Sequence, residues 1–255
     1  MITADDLVKH YFQSKSGTGF TAIDGVNLTI AKGERVGIVG STGCGKSTFL
    51  RIVLGVEKPT AGRLTVDGRE PYKHYHDFRG YMAAVFQEDR LLPWRTALEN
   101  VILGLEILGR KKREAIADAH MWFERLGLAG FENAYPGELS GGMRQRVAIA
   151  RALILNPKVI LLDEAFGHLD EVTSKKLRAD FFSLLHGSDK TVVMVTHNLD
   201  EALESVERVV VFGRPAKVLA DFRVNEYDKQ RLKSIIQLLI EQNIPLEIAQ
   251  ARFKL

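Results

Sequence analysis

Three features of the chain predict an α/β fold. Near-continuous apolar runs of strand length recur at residues 36–39, 159–162 and 191–195, as strands buried on both faces require. Each run ends in chemically loaded residues, a glycine-rich turn, an acidic pair or a Thr-His pair, and after the glycine-rich turn a helical stretch follows. One region from about residue 91 departs from this alternation, with apolar residues at helical spacing only. The expected architecture is therefore a mostly parallel sheet flanked by helices, with a helical insert.

Val26, Leu28 and Ile30 alternate with polar neighbours and read as a strand ending at the turn 31–34. Residues 36–39 form the next strand, which runs through Gly40-Ser-Thr-Gly-Cys-Gly-Lys46 into a helix expected over 48–54. A β-rich piece from Arg63 closes at Asp67-Gly68, and the apolar stretch 82–85 leads to Gln87. Leu98, Val101, Ile102, Leu105 and Leu108 repeat at helical spacing, as do Ile116, Met121, Phe123 and Leu126. The strand 159–163 ends at Asp163-Glu164, and the strand 191–196 ends beside His197. Residues 209–212 are expected to close the α/β core. Beyond Asn225 the tail reads as helical: Leu232, Ile235, Ile236, Leu239 and Ile240 share a face, and Pro245 interrupts it. No internal repeat or low-complexity tract is present.

The 255 residues suffice for one large domain, or one domain with a sizeable insert. At 45% hydrophobic and 26% charged, the composition supports a real core. A net charge of +3 suits a solvated basic face or nearby anionic lipid and does not call for nucleic acid. A single cysteine, Cys44, excludes an internal disulfide and fits a reducing compartment. The N-terminus lacks a signal pattern, and no window reaches the ~18 apolar residues of a membrane span. A protein that stays in the cytoplasm is expected.

Gly40, Ser41, Thr42, Gly43, Cys44, Gly45, Lys46, Ser47 and Thr48 match G-x-x-x-x-G-K-[ST] between an expected strand and an expected helix, the context this motif needs. Glycines let successive N–H groups point at a β-phosphate, and the helix N-terminus adds its dipole. Lys46 then reaches the β- and γ-phosphates, and the Ser47 hydroxyl suits Mg²⁺. The Cys44 thiol is expected to be a bystander. Asp163, at a strand end, suits a metal held for phosphoryl transfer, and Glu164 is placed to act as general base on water. Gln87 offers a neutral oxygen to the metal and an amide to that water. His197 emerges at the carboxyl end of its strand, where ligands of open α/β sheets sit. Alone, a glutamine or histidine of this kind is more often structural or merely exposed.

The order of these motifs, with Leu139-Ser-Gly-Gly-Met-Arg-Gln-Arg146 and Leu169-Asp170 between them, resembles the ATPase subunit of ABC transporters over residues 1 to 215. The resemblance implies a P-loop NTPase of the ABC ATPase type, with an antiparallel β subdomain and a helical insert subdomain. Residues 1–220 would be the nucleotide-binding domain, with the insert at about 91–156, and 221–255 a C-terminal helical extension. It also implies a head-to-tail dimer in which Ser140, Gly141 and Gly142 of one copy cap the ATP held by Lys46 of the other. Gln87 then belongs to the Q-loop, Glu164 is the catalytic base, Asp170 the D-loop aspartate and His197 the switch histidine. Tyr11 stands where an aromatic stacks on adenine, with Phe12 as the alternative.

The run Phe86-Gln87…Leu91-Leu-Pro-Trp94…Glu99-Asn100 and the run Asp163 to Asp170 are similar to those of the nitrate, sulfonate and taurine importers. Ala165 and His168 depart from that pattern, where proline and alanine are usual, and Asn198 stands in place of an aspartate. A dimer-interface His168 would make closure pH-sensitive. Trp94 either closes the small core of the insert or anchors a helix of a membrane subunit. The cluster 110–113 reads as a solvated basic face. The implied function is the ATP-hydrolysing, energy-coupling subunit of a small-solute importer, peripheral on the cytoplasmic face of the membrane. ATP and Mg²⁺ would be its cofactors. Its expected partners are a second copy, integral membrane permeases and, indirectly, a solute-binding protein, with no nucleic acid. The rival readings are a soluble ABC ATPase acting on DNA or ribosomes and the module of an exporter.

Overall fold

The structure is a computed structural model that describes residues 1–12, 19–167 and 169–253. In chain order the strands are β1 (Ile2–Phe12), β2 (Gly19–Ile30), β3 (Arg35–Val39), β4 (Ala61–Val66), β5 (Met82–Phe86), β6 (Val159–Asp163), β7 (Thr191–Thr196), β8 (Arg208–Phe212) and β9 (Val218–Arg223). The α-helices are α1 (Lys46–Val53), α2 (Ala97–Ile107), α3 (Lys112–Arg125), α4 (Gly141–Leu153), α5 (Glu171–Leu184), α6 (Leu199–Ser205), α7 (Lys229–Gln242) and α8 (Leu246–Phe253). The chain divides into two compact units, residues 1–77 with 191–255, and residues 78–190.

The first unit contains an antiparallel sheet of order β2-β1-β4 and, in order β7-β3-β8-β9, a set of strands parallel except for the last. Val26, Leu28 and Ile30 are buried as their alternation requires. Two strands escape the sequence reading. In β1, register shifts interrupt the alternation near Asp5 and Asp6, and Asp6 takes φ 44°. The irregularity is held by Asn27, whose Oδ1 accepts from the Asp6 N–H at 2.9 Å and whose Nδ2 donates to Asp6 Oδ1 at 2.7 Å. The other is β9, which pairs antiparallel with β8, so the core does not end at residue 212. Helix α1 begins at Lys46, two residues before its expected start, because Gly45 at φ 120° turns the chain directly into helical geometry.

The tail packs within this unit. Leu232, Ile235, Ile236 and Leu239 of α7 are buried against α6 and β8, while Ile240 is only half-buried. Asn243 ends α7 in the left-handed region, φ 52°. Its side chain accepts from the Arg214 N–H at 2.8 Å and donates to the Arg214 carbonyl at 2.9 Å, which ties the helix to the β8–β9 turn.

The second unit pairs β5 with β6 in parallel, from Met82 opposite Val159 to Phe86 opposite Asp163. Its helix α2 starts from a capping box: Thr96 Oγ1 accepts from the Glu99 N–H, and Glu99 Oε2 accepts from the Thr96 N–H. It packs on α3 and α4 through Ala97, Val101, Ile102 and Leu105. Leu108 lies past the helix end and is exposed, against expectation. The buried face of α3 is Ala115, Ala119, Phe123, not Ile116 and Met121, because two alanines one turn apart admit the neighbouring helix closely. Among the described residues no helix is long and apolar enough to cross a membrane.

Candidate functional site

In the first unit the phosphate-loop residues and His197 lie at one end of the parallel strands. Val39 pairs with Thr196, so Gly40 and His197 each follow the same rung. Close packing explains the glycines. A Cβ at Gly40 would lie 2.5 Å from the Phe212 carbonyl oxygen, and one at Gly45 would lie 2.2 Å from that of Ala22. The loop closes on itself through a Cys44 N–H bond to the Ser41 carbonyl at 3.2 Å. Lys46 is 4% exposed and its Nζ donates to the carbonyls of Gly40 at 2.9 Å and Ser41 at 3.0 Å. An ammonium is thereby fixed over the loop, while Thr42 and Gly43 face solvent and Ser47 is half-buried. Thr48 is buried, and the first turn of α1 has no acidic residue to oppose its dipole. Burial pushes the Cys44 thiol up from its ordinary range, the chemistry of a packing residue.

The turn carrying His197 is set by its neighbours. The Thr196 hydroxyl donates to Glu201 Oε2 at 2.6 Å and accepts from the Asn198 N–H at 3.0 Å. Asn198 Oδ1 accepts from the Glu201 N–H at 3.2 Å and caps α6. Asn198, which departs from the usual aspartate, thus has a structural role signalled by Asn-x-x-Glu, a helix-start pattern. His197 itself is exposed and lines a cleft of about 410 Å³ with Gly40, Ser41, Thr42 and, from α7, Lys233 and Gln237. At the far end of β1, the Tyr11 ring stacks on Phe20 at 5.2 Å, with Lys9 Nζ 4.9 Å from its centre. Phe12 is 81% exposed.

In the second unit, Phe86 opposite Asp163 is the last rung between β5 and β6, so Gln87 and Glu164 are each one residue beyond it. Gln87 is exposed, and Asp163 and Glu164 are half-buried. Glu164 adopts φ 50°, a left-handed conformation that a non-glycine residue adopts at a cost of about 1–3 kcal/mol. Ser140 caps α4, its Oγ accepting from the Met143 N–H at 3.3 Å; Gly141 opens the helix, with no acid in its first turn. Ser140 and Gly141 are exposed and Gly142 is half-buried. Asp170 caps α5 through the Thr173 N–H at 3.0 Å, a bond that holds its carboxyl below the ordinary range. His168 lies outside the described residues.

The segment after Gln87 is tied to α4. Arg144 Nε donates to Asp89 Oδ2 at 2.9 Å, and Arg151 donates to the carbonyls of Asp89 and Arg90 at 2.6 and 2.8 Å. Trp94 is 71% exposed, which removes the reading in which it closes the core of the insert. Asn100, fully buried, organises the turn that displays it. Its Oδ1 accepts from the Leu92 N–H at 2.8 Å, and its Nδ2 donates to the carbonyls of Leu92, Arg95 and Thr96. A polar residue directly before Val101 and Ile102, on the apolar side of the helix, was the available signal for this role. Residues 110–113 are exposed, and Arg110 pairs with Glu114 and Asp118, as a solvated face does.

A family model described as "ABC transporter" matches residues 23–167. A taurine import ATP-binding protein of Rhizobium johnstonii is 42% identical over 85% of this chain and 82% of its own length. A nitrate import ATP-binding protein of Synechococcus elongatus is 36% identical over 91% and 84%. The solved dimeric structure of an ATP-binding cassette in a post-hydrolysis state, bound to ADP and Pi, superposes with a TM-score of 0.79 at 34% identity. It covers 88% of this chain and 99% of its own. With the phosphate loop, the Asp163-Glu164 strand end and the Ser140-capped helix all present, the chain belongs to the ABC transporter family, as one of its P-loop ATPases.

Proposed function

We propose that the chain powers an importer for a small solute of the nitrate, sulfonate or taurine kind. It works as a head-to-tail pair of copies at the cytoplasmic face of the membrane, bound to integral permease subunits and served indirectly by a solute-binding protein. The names of the relatives support the solute class. The observation that carries the reading is the open N-terminus of α4, where Ser140 and Gly141 are exposed with no acid in the first turn. It is an anion-binding end without a phosphate loop of its own, as a lid for a second copy's nucleotide requires.

The roles follow. Backbone N–H groups from Gly40 to Thr48 and the Lys46 ammonium bind the phosphates of ATP, and His197 contacts the γ-phosphate. Adenine stacks on an aromatic of β1, either Tyr11 or Phe12; the largely exposed Phe12 has the freer ring. Ser47, Asp163 and Gln87 offer oxygen only, the donor set of a hard cation. When bound, Mg²⁺ neutralises charge on the β- and γ-phosphate oxygens. Glu164 takes a proton from water as that water's oxygen attacks the γ-phosphorus in line, and the bond to the bridging oxygen breaks to release ADP. From the second copy, Ser140, Gly141 and Gly142 donate to the γ-phosphate, and Asp170 completes the contact.

Purification of the tagged chain from its native membrane is the test. Co-purification of an integral membrane subunit, with ATPase activity stimulated by solute and binding protein, is expected. Recovery of ribosomes or DNA with no membrane protein would overturn the reading.

A further inference from the structure

Gln145 lies in the signature run yet faces away from the exposed Ser140-Gly141 end. It is 5% exposed, one turn into α4. Its Nε2 donates to two backbone carbonyls, that of Phe86 at 3.2 Å and that of Ala165. Both partners are acceptors, so the amide orientation is dictated: only the nitrogen end satisfies them. Phe86 immediately precedes Gln87, and Ala165 immediately follows Glu164. One buried amide thus bridges the backbone beside the proposed metal-binding glutamine and the backbone beside the proposed base. Arg144 and Arg151 add further bonds from α4 to Asp89 and Arg90.

We propose that Gln145 is a positioning residue that couples the two nucleotide sites of the dimer. This rests on the proposed pairing, in which Ser140 and Gly141 at the start of α4 grip the partner's ATP. When they do so, the shift of α4 is delivered through Gln145 to Gln87 and Glu164 of its own copy, so closure over one nucleotide sets the geometry for hydrolysis of the other. Two carbonyls held by two N–H groups of one rigid amide cannot move independently of the helix that carries it. An apolar residue of the same shape keeps the packing and loses that constraint.

Gln145→Met tests this, because it preserves volume and removes both donors. Measured with the purified dimer, ATPase activity against ATP concentration should lose its sigmoidal form, the Hill coefficient falling from about 2 towards 1. The turnover number should drop about tenfold or more, while binding of a fluorescent ATP analogue to the separated monomer changes less than about twofold. Gln145→Glu, which turns a carboxylate on two carbonyls, should be more impaired than Gln145→Met; a purely space-filling role ranks Met as neutral and offers no change in cooperativity. Should Gln145→Met not fold, Gln145→Glu carries the test, with a fall in Hill coefficient expected. A wild-type Hill coefficient in whichever variant folds overturns the inference. If instead the wild-type chain neither dimerises with ATP nor shows cooperativity, the proposed function fails first, and the two failures are told apart.

Discussion

Two backbone positions show how much of the chemistry rests on single residues. Gly45 combines φ 120° with a Cβ direction that points 2.2 Å from a carbonyl oxygen. Gly45→Ala is therefore expected to weaken ATP binding at least tenfold, read by equilibrium titration, because the loop must open to admit the methyl group. Glu164 sits in left-handed geometry at the end of a buried strand, a strained placement of the kind found at functional sites. Glu164→Gln is expected to lower turnover by about 10²–10⁴ while ATP binding persists; near-normal turnover would place the base elsewhere. The Cys44 thiol, raised by burial, is neutral in the folded chain at pH values where the unfolded thiol ionises. Its contribution to stability is full below the unfolded pKa of about 8.5 and is lost as pH rises through the folded value. Urea melts at pH 7 and pH 10 should show a smaller alkaline loss of stability in Cys44→Ala than in the wild type.

At the scale of elements, caps decide where helices begin, and here they coincide with chemistry. Ser140, Asp170 and Asn198 each accept an N–H at the start of a helix and adjoin or form part of the proposed site. Sequence spacing identifies such residues as motif members but does not show that they also hold the helix. Asp170→Ala should therefore cost about 1 kcal/mol of stability in a denaturant melt in addition to any loss of activity. Asn100 is the stronger case, with four hydrogen bonds in a fully buried setting. Asn100→Ala should cost about 2 kcal/mol or more and release the turn at residues 92–96. An unchanged melt would show that the turn is held by other bonds. The elements missed in the sequence were missed for local reasons. Register shifts break the alternation of β1, and β9 is short and interleaves exposed polar residues with its apolar ones. In α3 the buried face is made by alanines, which a reading weighted towards large apolar residues passes over.

At the scale of the whole molecule, the predictions concern assembly. ATP with Glu164→Gln should shift the chain from monomer to dimer in light scattering, and Ser140→Arg should abolish that shift without abolishing ATP binding to the Lys46 loop. Trp94, exposed on the turn held by Asn100, is proposed as an anchor for the membrane partner. Trp94→Ala should leave basal ATPase activity within about twofold and reduce solute-stimulated transport in membrane vesicles; unchanged transport would remove it from the docking surface.

The sequence by itself determined the fold class, the phosphate loop and the order of motifs that marks the family. These depend on local rules: glycines where backbones must approach, apolar runs where strands are buried on both faces, and acids at strand ends. What only the tertiary structure decided depends on residues far apart in the chain. The bridging amide of Gln145 requires bonds to Phe86 and Ala165, outside its own local motif, whereas the Asn100 turn that displays Trp94 is closed by short-range bonds whose partners only the folded geometry identifies. The broken register of β1 and the packing of α7 similarly depend on neighbours supplied by other strands. A side chain's type limits which bonds it makes, but its partner is set by which strands and helices the fold brings within about 3 Å.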